Sequence, residues 1–274
     1  MPELPEVETV KETLKHQILN KKIKNIIINY SNIIKEDLET FKFRLIGKSI
    51  IDIKRKGKFL IFVLDDINLI CHLRMEGKFF LKETNLDYEK HEHIIFQFDD
   101  NTDLRYHDTR KFGIMVTKYD SELYNTLPLS NLGYEPFDDN LTKEYLYTKY
   151  QGLKKTIKEV LLDQSIMTGL GNIYADEVCF LCNLNPSQKA NELTITDCDN
   201  IIVNSRNVLN KAILRGGTTI RSYTSSLGVT GLFQLELLVH TKVNEPCPNC
   251  NDIILKTRVG GRGTYYCPTC QKIR

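Results

Sequence analysis

Residues 50–73 read IIDIKRKGKFLIFVLDDINLICHL, and this stretch determines the fold of the first half of the chain. Three β-rich runs follow one another within it, separated by turn residues at Lys56-Gly57-Lys58 and at Asp65-Asp66. Short apolar runs bounded by turn signals are typical of strands joined as hairpins. The glycine turn therefore predicts a tight hairpin that projects Lys58 from a rigid scaffold.

The strand pattern extends from residue 23 to about residue 118. Further β-rich runs lie at 26–28, 93–98 and 103–106. Six or more short strands separated by turns predict a β-sandwich. Pro5 and the apolar residues Val7, Val10, Leu14 and Ile18 precede these strands at helical spacing. They predict an amphipathic helix that holds the N-terminus against the sandwich.

The second half of the chain has helical periodicity. Helices are predicted over 141–150, 157–162, 173–182 and 197–214, and a glycine turn, Thr168-Gly-Leu-Gly-Asn172, precedes the third. Backbone amides at such a helix start are suited to binding phosphate. Residues 216–232 predict a loop, and residues 235–239 predict a strand that leads into the C-terminus. The fold class is α+β, with domains at 1–131, 132–232 and 233–274.

The C-terminus carries two C-x2-C pairs, Cys247/Cys250 and Cys267/Cys270, separated by sixteen residues. This spacing is typical of a four-cysteine zinc site with no position left for water, so we expect one structural zinc ion. Two disulfides are the alternative, and they are disfavoured because nothing else indicates an oxidising compartment. Glycines flank Arg262 at the tip of the expected hairpin, which Lys256 and Arg258 would also line as phosphate-binding residues.

The composition sets broad limits on function. The 274 residues carry a net charge of only +2, so charge alone does not argue for nucleic acid. Basic residues cluster, however, at 54–58, at 154–158 and around the cysteine hairpin, which favours a polyanion partner. No apolar run approaches ~20 residues, and no signal-peptide core is present, which predicts a cytosolic protein. The remaining cysteines are expected to be reduced thiols: Cys71, Cys179, Cys182 and Cys198.

The N-terminus begins Met1-Pro2-Glu3. Once Met1 is removed, Pro2 offers a secondary α-amine, and an α-amine titrates near ~8, far below a lysine. Pro2 is thus a candidate nucleophile with the Glu3 carboxyl beside it. The alternative is an exposed terminus that simply precedes a helix.

Together these features resemble the bacterial formamidopyrimidine-DNA glycosylase family. The similarity runs over nearly the whole chain and is carried by PELPEVET at 2–9, GKF at 57–59, HLRMEG at 72–77, LRYHDTRKFG at 104–113, LDQ at 162–164, GLGNIYADE at 169–177 and GRGTYYCPTCQ at 261–271. The resemblance implies a β-sandwich domain, a helix–two-turns–helix domain and a zinc finger. It also implies a monomer that acts on double-stranded DNA, removes oxidised purines and cuts the strand, with no redox or nucleotide cofactor.

The resemblance assigns catalytic roles to residues at both ends of the chain. Pro2 would attack C1′ and form a Schiff base, and Glu3 would protonate the sugar ring oxygen. Glu6 would hold the N-terminus by hydrogen bonding. Lys58 would contact the phosphate beside the lesion, and Arg262 would grip phosphates and assist the second elimination.

The resemblance also assigns DNA-binding roles. Met75, Arg110 and Phe112 would fill the void left when the damaged nucleotide is flipped out of the duplex. The residues expected to contact DNA are His91, Arg110, Lys111, Lys154 and Asn172. Residues 218–230 would cap the everted base.

Two departures from the family pattern concern the void-filling loop. The family usually has NDPRRFG where this chain has HDTRKFG at 107–113. Thr109 is expected to loosen the loop, and Lys111 keeps the charge but loses the bidentate fork of arginine.

Two other functions are alternatives. The endonuclease VIII branch acts on oxidised pyrimidines with the same Pro-Glu chemistry, but it typically has glycine where this chain has Leu4. A non-catalytic zinc-ribbon DNA-binding protein is the second alternative, and Pro2, Glu3 and Lys58 argue against it.

Overall fold

The computed structural model describes residues 1–218 and 231–274. Residue contacts divide the chain into two compact units. One comprises Met1–Ser130 with the described residues of Gly216–Gly231, and the other comprises Asn131–Arg215 with Leu232–Arg274. Except for Thr218, the predicted capping segment lies outside the described residues. None of the described helices is both long enough and apolar enough to cross a bilayer.

The first unit is a sandwich of two antiparallel four-stranded sheets, which confirms the predicted β-sandwich. The strand order is β1-β6-β7-β5 in one sheet and β2-β3-β4-β8 in the other. The strands are β1 (Ile23–Ile28), β2 (Ile50–Lys56), β3 (Phe59–Leu64), β4 (Ile67–His72), β5 (Lys78–Glu83), β6 (Glu92–Phe98), β7 (Thr102–His107) and β8 (Ile114–Tyr119). Strands β5 and β8 extend the sheets beyond the runs predicted from sequence.

Helix α1 (Leu4–Ile18) supports this sandwich as predicted. Val7, Val10, Leu14 and Ile18 are all buried in the core that both sheets share. The helix packs against β2 and β3. A second helix, α2 (Leu38–Leu45), interrupts the region in which only strands were predicted. Asp37 begins it by accepting a hydrogen bond from the Thr40 amide at 2.8 Å.

The β2–β3 hairpin has the predicted tight turn at Gly57-Lys58. Lys56 pairs with Phe59, and Gly57 has a φ of +57°, which favours a residue without a side chain. The expected projection of Lys58 is wrong in one respect, since its side chain is only 4% exposed. The lysine is enclosed at the turn. A buried ammonium needs a specific partner, whereas an exposed one would act as a general surface charge.

The second unit contains the helices predicted from periodicity. They are α3 (Lys143–Gln151), α4 (Ile157–Leu162), α5 (Asn172–Leu181) and α6 (Ile195–Leu214). The C-terminal residues form a hairpin of β9 (Leu255–Val259) and β10 (Arg262–Tyr266), which contacts α5.

The strand predicted at 235–239 is wrong. Phe233–Leu235 is a 3-10 turn, and an irregular segment follows it. The amides of Leu238, Val239 and His240 donate to the buried Glu177 carboxylate at 2.8, 3.0 and 2.9 Å. These backbone donors are satisfied by a side chain of α5, so the apolar segment needs no neighbouring strand.

Candidate functional site

The N-terminal residues are enclosed. Pro2 is buried, and the Glu3 side chain is 2% exposed. The Glu3 amide donates to Glu6 Oε2 at 2.8 Å, which ties the residue after the proline to the first turn of α1. The alternative of an exposed terminus is therefore wrong.

Glu6 also holds the start of the segment predicted to cap the lesion. Its other carboxylate oxygen, Oε1, accepts from the Thr218 amide at 2.7 Å and from the Thr218 hydroxyl at 3.0 Å. A Cβ atom on Gly217 would lie 2.8 Å from the same oxygen, and Gly217 has a φ of +77°. One buried carboxylate thus fixes Glu3 and Thr218 together, and only glycine fits beside it.

The end of β4 supplies a neutral imidazole near Lys58. Burial, Arg74 and Lys58 together lower the pKa of His72 to about 3. The ring accepts the Arg74 amide on Nδ1 at 2.9 Å, so its lone pair is occupied by a donor. It therefore carries no positive charge that would compete with Lys58 for an anion.

Asp108 organises the loop that carries Arg110 and Phe112, two of the three candidate void-filling residues. Its buried carboxylate accepts from the amides of Arg110, Phe112 and Gly113 at 3.0, 2.9 and 2.9 Å. The hydroxyl of Thr109 donates to Glu76, beside Met75. Thr109 was expected to loosen this loop, and in the structure these hydrogen bonds brace its backbone.

Arg110 and Phe112 lie at the surface of this loop, whereas Met75 lies between β4 and β5. Phe112 is 53% exposed, and the Arg110 guanidinium stacks over its ring at 4.9 Å. Met75 is half-buried. Lys111 adopts a φ of +59°, and its ammonium lies 4.7 Å from the centre of the Tyr30 ring. An exposed aromatic ring beside a guanidinium can enter a base step and hydrogen-bond an unpaired base.

Arg105 fixes the segment that leads to His91. Its guanidinium is fully buried and forms ion pairs with Asp103 and Glu92 at 3.1 Å each. It also donates to the carbonyls of residues 83, 86 and 87 at 2.8–3.0 Å. His91 itself is half-buried, and its carbonyl accepts the Asp108 amide at 3.0 Å. The arginine therefore positions residues 84–91 through the backbone.

One of the three basic clusters is only partly at the surface. Lys154 and Lys155 are exposed, but Lys158 is fully buried. Its ammonium donates to Asp176 at 2.5 Å and to the Asn172 carbonyl at 3.0 Å. Lys158 is thus part of the packing of α4 on α5 and does not belong to the predicted polyanion-binding face.

Asn172 joins α5 to the tip of the hairpin. Its Nδ2 donates to the Gly263 carbonyl at 2.9 Å, next to Arg262. The glycine turn before α5 is held by Gln164, whose side chain accepts from the Gly169 amide and donates to the Leu170 carbonyl. The second unit therefore brings two of the candidate DNA-binding residues together.

The register of the hairpin divides its basic residues between two faces. Arg262 pairs with Val259, whereas Lys256 pairs with Tyr265 and lies 5.3 Å from the centre of its ring. Side chains alternate along a strand, so Arg262 lies on the opposite face from Lys256 and Arg258. The three do not line one face, although all are exposed.

The hairpin turn is seated closely on α4. Gly260 and Gly261 have φ of +54° and +75°. A Cβ atom on Gly260 would lie 2.5 Å from Cγ of Glu159, whose carboxylate accepts the Thr156 amide at 2.9 Å and caps the helix. Glycine is required at this turn for its conformation and for this close approach.

The four C-terminal cysteines form a structural zinc site. All their sulfur atoms lie within 4.8 Å of one another, and the Cys247–Cys270 and Cys250–Cys267 separations are 3.8 and 3.5 Å. Tetrahedral zinc with Zn–S bonds of ~2.3 Å requires sulfur separations of ~3.8 Å. Among the described residues this is the one group that could hold a metal ion. The separations between the four sulfur atoms therefore fit one zinc ion.

Asp108, Arg105 and the Lys158–Asp176 pair were missed as positioning residues. Asp108 lies just before a turn with a positive φ at Lys111, and an aspartate in this position commonly bonds backbone amides ahead of it. That local signal could have found it. Apart from Asp103, the partners of Arg105 are distant in sequence, as are those of Lys158, and no local pattern marks these two residues.

Three family models match the chain. They are the formamidopyrimidine-DNA glycosylase N-terminal domain over residues 1–115, the H2TH domain of the same enzyme over 132–224, and the zinc finger found in FPG and IleRS over 244–273.

Full-length relatives agree with these matches. Formamidopyrimidine-DNA glycosylases of Bacillus anthracis and Bacillus subtilis (strain 168) are 46% and 45% identical, over 99% of this chain and 99% of their own lengths. The Lactococcus lactis Fpg in complex with DNA containing an abasic site superposes with a TM-score of 0.93 at 39% identity. That match covers 99% of this chain and 100% of the Lactococcus lactis chain. The chain therefore belongs to the formamidopyrimidine-DNA glycosylase family, whose members are DNA-repair enzymes that remove damaged bases.

Proposed function

We propose that this enzyme removes oxidised purines, 8-oxoguanine and formamidopyrimidines, from double-stranded DNA and then cleaves the strand by β,δ-elimination. The observation that carries the proposal is the enclosed N-terminus, where Glu6 holds Glu3 beside a buried Pro2. A general acid and an amine nucleophile need fixed positions and a dry environment, and this arrangement supplies both.

The reaction begins after Met1 is removed. The Pro2 nitrogen donates its electron pair to C1′, the bond from C1′ to the damaged base breaks with its electrons on the base, and the amine proton passes to the departing base. Glu3 gives its proton to the sugar ring oxygen as the ring opens, which leaves an iminium ion on Pro2. The iminium acidifies the C2′ proton, so that the 3′-phosphate departs first and the 5′-phosphate departs in the second elimination.

The other candidate residues serve substrate binding. Lys58, enclosed at the β2–β3 turn, contacts the phosphate beside the lesion, and Arg262 grips phosphates at the hairpin tip. Arg110 and Phe112 enter the space left by the flipped nucleotide, with Met75. His91, Lys111, Lys154 and Asn172 contact the DNA backbone. Apart from the buried Lys58, these side chains are exposed or half-exposed, which supports their roles because each is accessible to a duplex.

Borohydride trapping tests the nucleophile. The protein is incubated with a duplex carrying 8-oxoguanine opposite cytosine, and mass spectrometry first establishes that Met1 has been removed. Pro2→Gly is expected to lose the trapped complex, because the rigid secondary amine is gone. Pro5→Ala is the matched control, since it removes the other proline of the terminus and leaves the amine. Full trapping by Pro2→Gly would refute the assignment.

Two further arms separate the chemistry from the substrate. Glu3→Gln is expected to slow base removal by ~10²–10⁴-fold while retaining trapping on a preformed abasic site, because only the acid is lost. A duplex with an oxidised pyrimidine measures the preference between branches. Preferential trapping on that duplex would replace the substrate assignment and leave the Pro2 chemistry in place.

A further inference from the structure

We propose that His107 is a second DNA-phosphate-binding residue beside His91, and that the two rings together take up one proton when the phosphate binds. The proposal rests on the proposed function, in which this unit binds a DNA duplex.

The two imidazoles form a pair at the edge of the sandwich. Their ring centres are 5.5 Å apart, and their planes are inclined at 77°, so the edge of one ring faces the other. His107 ends β7, and His91 immediately precedes β6, where the next residue, Glu92, pairs with His107. The rings therefore share one face, next to the loop that Asp108 organises.

Neither ring has its hydrogen bonds satisfied within the described residues. Nδ1 of His91 and Nδ1 of His107 are buried with no hydrogen-bond partner, although both side chains are half-exposed. A buried ring nitrogen without a partner is costly whether it carries a proton or a lone pair, so each ring has an unmet hydrogen bond in the free protein. With Nδ1 enclosed, the Nε2 side of each ring is the side that can donate to a phosphate oxygen.

The neighbouring His93 does not share this property. Its ring is 3% exposed, and its Nε2 donates to the Asp108 carbonyl at 2.9 Å. Its donor is therefore already used to support the loop. The pair available to a ligand consists of His91 and His107.

The charges around His107 keep it neutral until an anion arrives. Burial, His91 and Lys78 lower the pKa of His107, whereas Glu89 and Glu92 raise it by a smaller amount. Arg105, two residues earlier on the same strand face, is neutralised by Asp103 and Glu92. The groups that face His107 from β5, from β6 and from residues 84–91 are thus Lys78, Glu92, Glu89 and His91.

A DNA phosphate reverses this balance. An opposite charge within hydrogen-bonding distance raises an imidazole pKa by ~1–3. The edge-to-face arrangement lets one charged ring lie against one neutral ring, so a single proton suffices for the pair. Since the pKa is higher in the complex than in the free protein, binding takes up a proton, and affinity falls as pH rises through the bound-state pKa.

The test measures affinity for a duplex carrying a tetrahydrofuran abasic-site analogue between pH 6 and pH 8 at constant ionic strength. The wild-type protein is expected to bind about five- to tenfold more tightly at pH 6 than at pH 8 through this pair. His107→Asn is expected to lose most of that difference. His16→Asn, at an exposed position in the last turn of α1, is the matched control and should retain it.

Two direct measurements keep the outcome clear. Calorimetry in buffers of different ionisation enthalpy counts the protons taken up, and NMR of the wild-type protein follows the His107 ring with and without DNA. An unchanged pH dependence in His107→Asn, or an unchanged protonation state of His107 on binding, would overturn the proposal. Because the analogue cannot react at Pro2, these results are independent of borohydride trapping, which tests the proposed function separately.

Discussion

Replacing Glu6 by glutamine tests how this carboxylate positions Thr218 relative to the N-terminal residues. The wild-type carboxylate accepts the Glu3 amide on one oxygen and the Thr218 amide and hydroxyl on the other. A glutamine side chain has one acceptor oxygen and one donor nitrogen. The glutamine therefore has to turn its NH2 group toward either Glu3 or Thr218, and the backbone N–H of that residue then loses its acceptor.

The less costly orientation can be chosen from the structure. The Thr218 hydroxyl can rotate to accept from the new amide, whereas the Glu3 side has only a backbone N–H. The variant should therefore keep the Glu3 bond and lose the bond to the Thr218 amide, which is 2.7 Å long. A buried hydrogen bond to a charged group contributes about 1.5–3 kcal/mol. Since 1.36 kcal/mol corresponds to tenfold in rate, base removal should slow by about 10- to 150-fold.

The assay is single-turnover cleavage with enzyme in excess over the 8-oxoguanine duplex. Glu8→Gln is the matched control, because Glu8 lies in the same helix but pairs with Lys11 and Arg55 instead of the terminus. That variant should remain within about threefold of the wild-type rate, as expected for a partly exposed ion pair. A Glu6→Gln rate equal to that of Glu8→Gln, in protein that melts normally, would refute the positioning argument.

Three further predictions concern the surrounding structure. Asp108→Asn should weaken binding to the abasic-analogue duplex by roughly tenfold or more, because at least one of three hydrogen bonds from backbone amides, each worth about 1.5–3 kcal/mol, is lost. Titration by fluorescence anisotropy measures this affinity, and an unchanged affinity would contradict the prediction. Lys158→Met should destabilise the protein by about 3–5 kcal/mol in urea unfolding, because the Asp176 carboxylate loses its buried ammonium partner. Adding Asp176→Asn should restore part of the lost stability. Equal stability of the single variant and the wild type would show that the pair is not coupled. The pKa of His72 is lowered to about 3, so below pH ~6.5 the unfolded chain binds a proton that the native ring does not bind. Stability should therefore fall as the pH is lowered from ~6.5 to about 3. His72→Gln should reduce this pH dependence of the urea midpoint, whereas His16→Gln should not.

The sequence predicted those parts of the fold that depend on local patterns. Helix α1 and the β2–β3 hairpin follow from apolar spacing and a glycine turn, and both were found. Strand β5, which reads KFFLKE, mixes charges with apolar residues and was not recognised. The apolar run at 235–239 was misassigned because its amides are satisfied by Glu177, a residue about sixty positions earlier.

The residues of the candidate site also fall into two groups, those that a local sequence pattern marks and those that no local pattern marks. The four zinc cysteines and the N-terminal residues are marked by spacing and position, so sequence alone could identify them. The burial of Lys158 depends on Asp176, which lies eighteen residues away and has no distinguishing local pattern. The separation of Arg262 from Lys256 depends on strand register, which becomes defined only when the two strands pair.

The close fit of the hairpin turn on α4 constrains how this protein can change over generations. A side chain at position 260 would collide with Glu159 and would also have to adopt a φ of +54°, so a smaller residue at 159 removes only one of two obstacles. Shortening Glu159, however, removes the cap on Thr156 and weakens the helix first. Neutral single substitutions are therefore blocked at this junction, and descendants are expected to retain both residues.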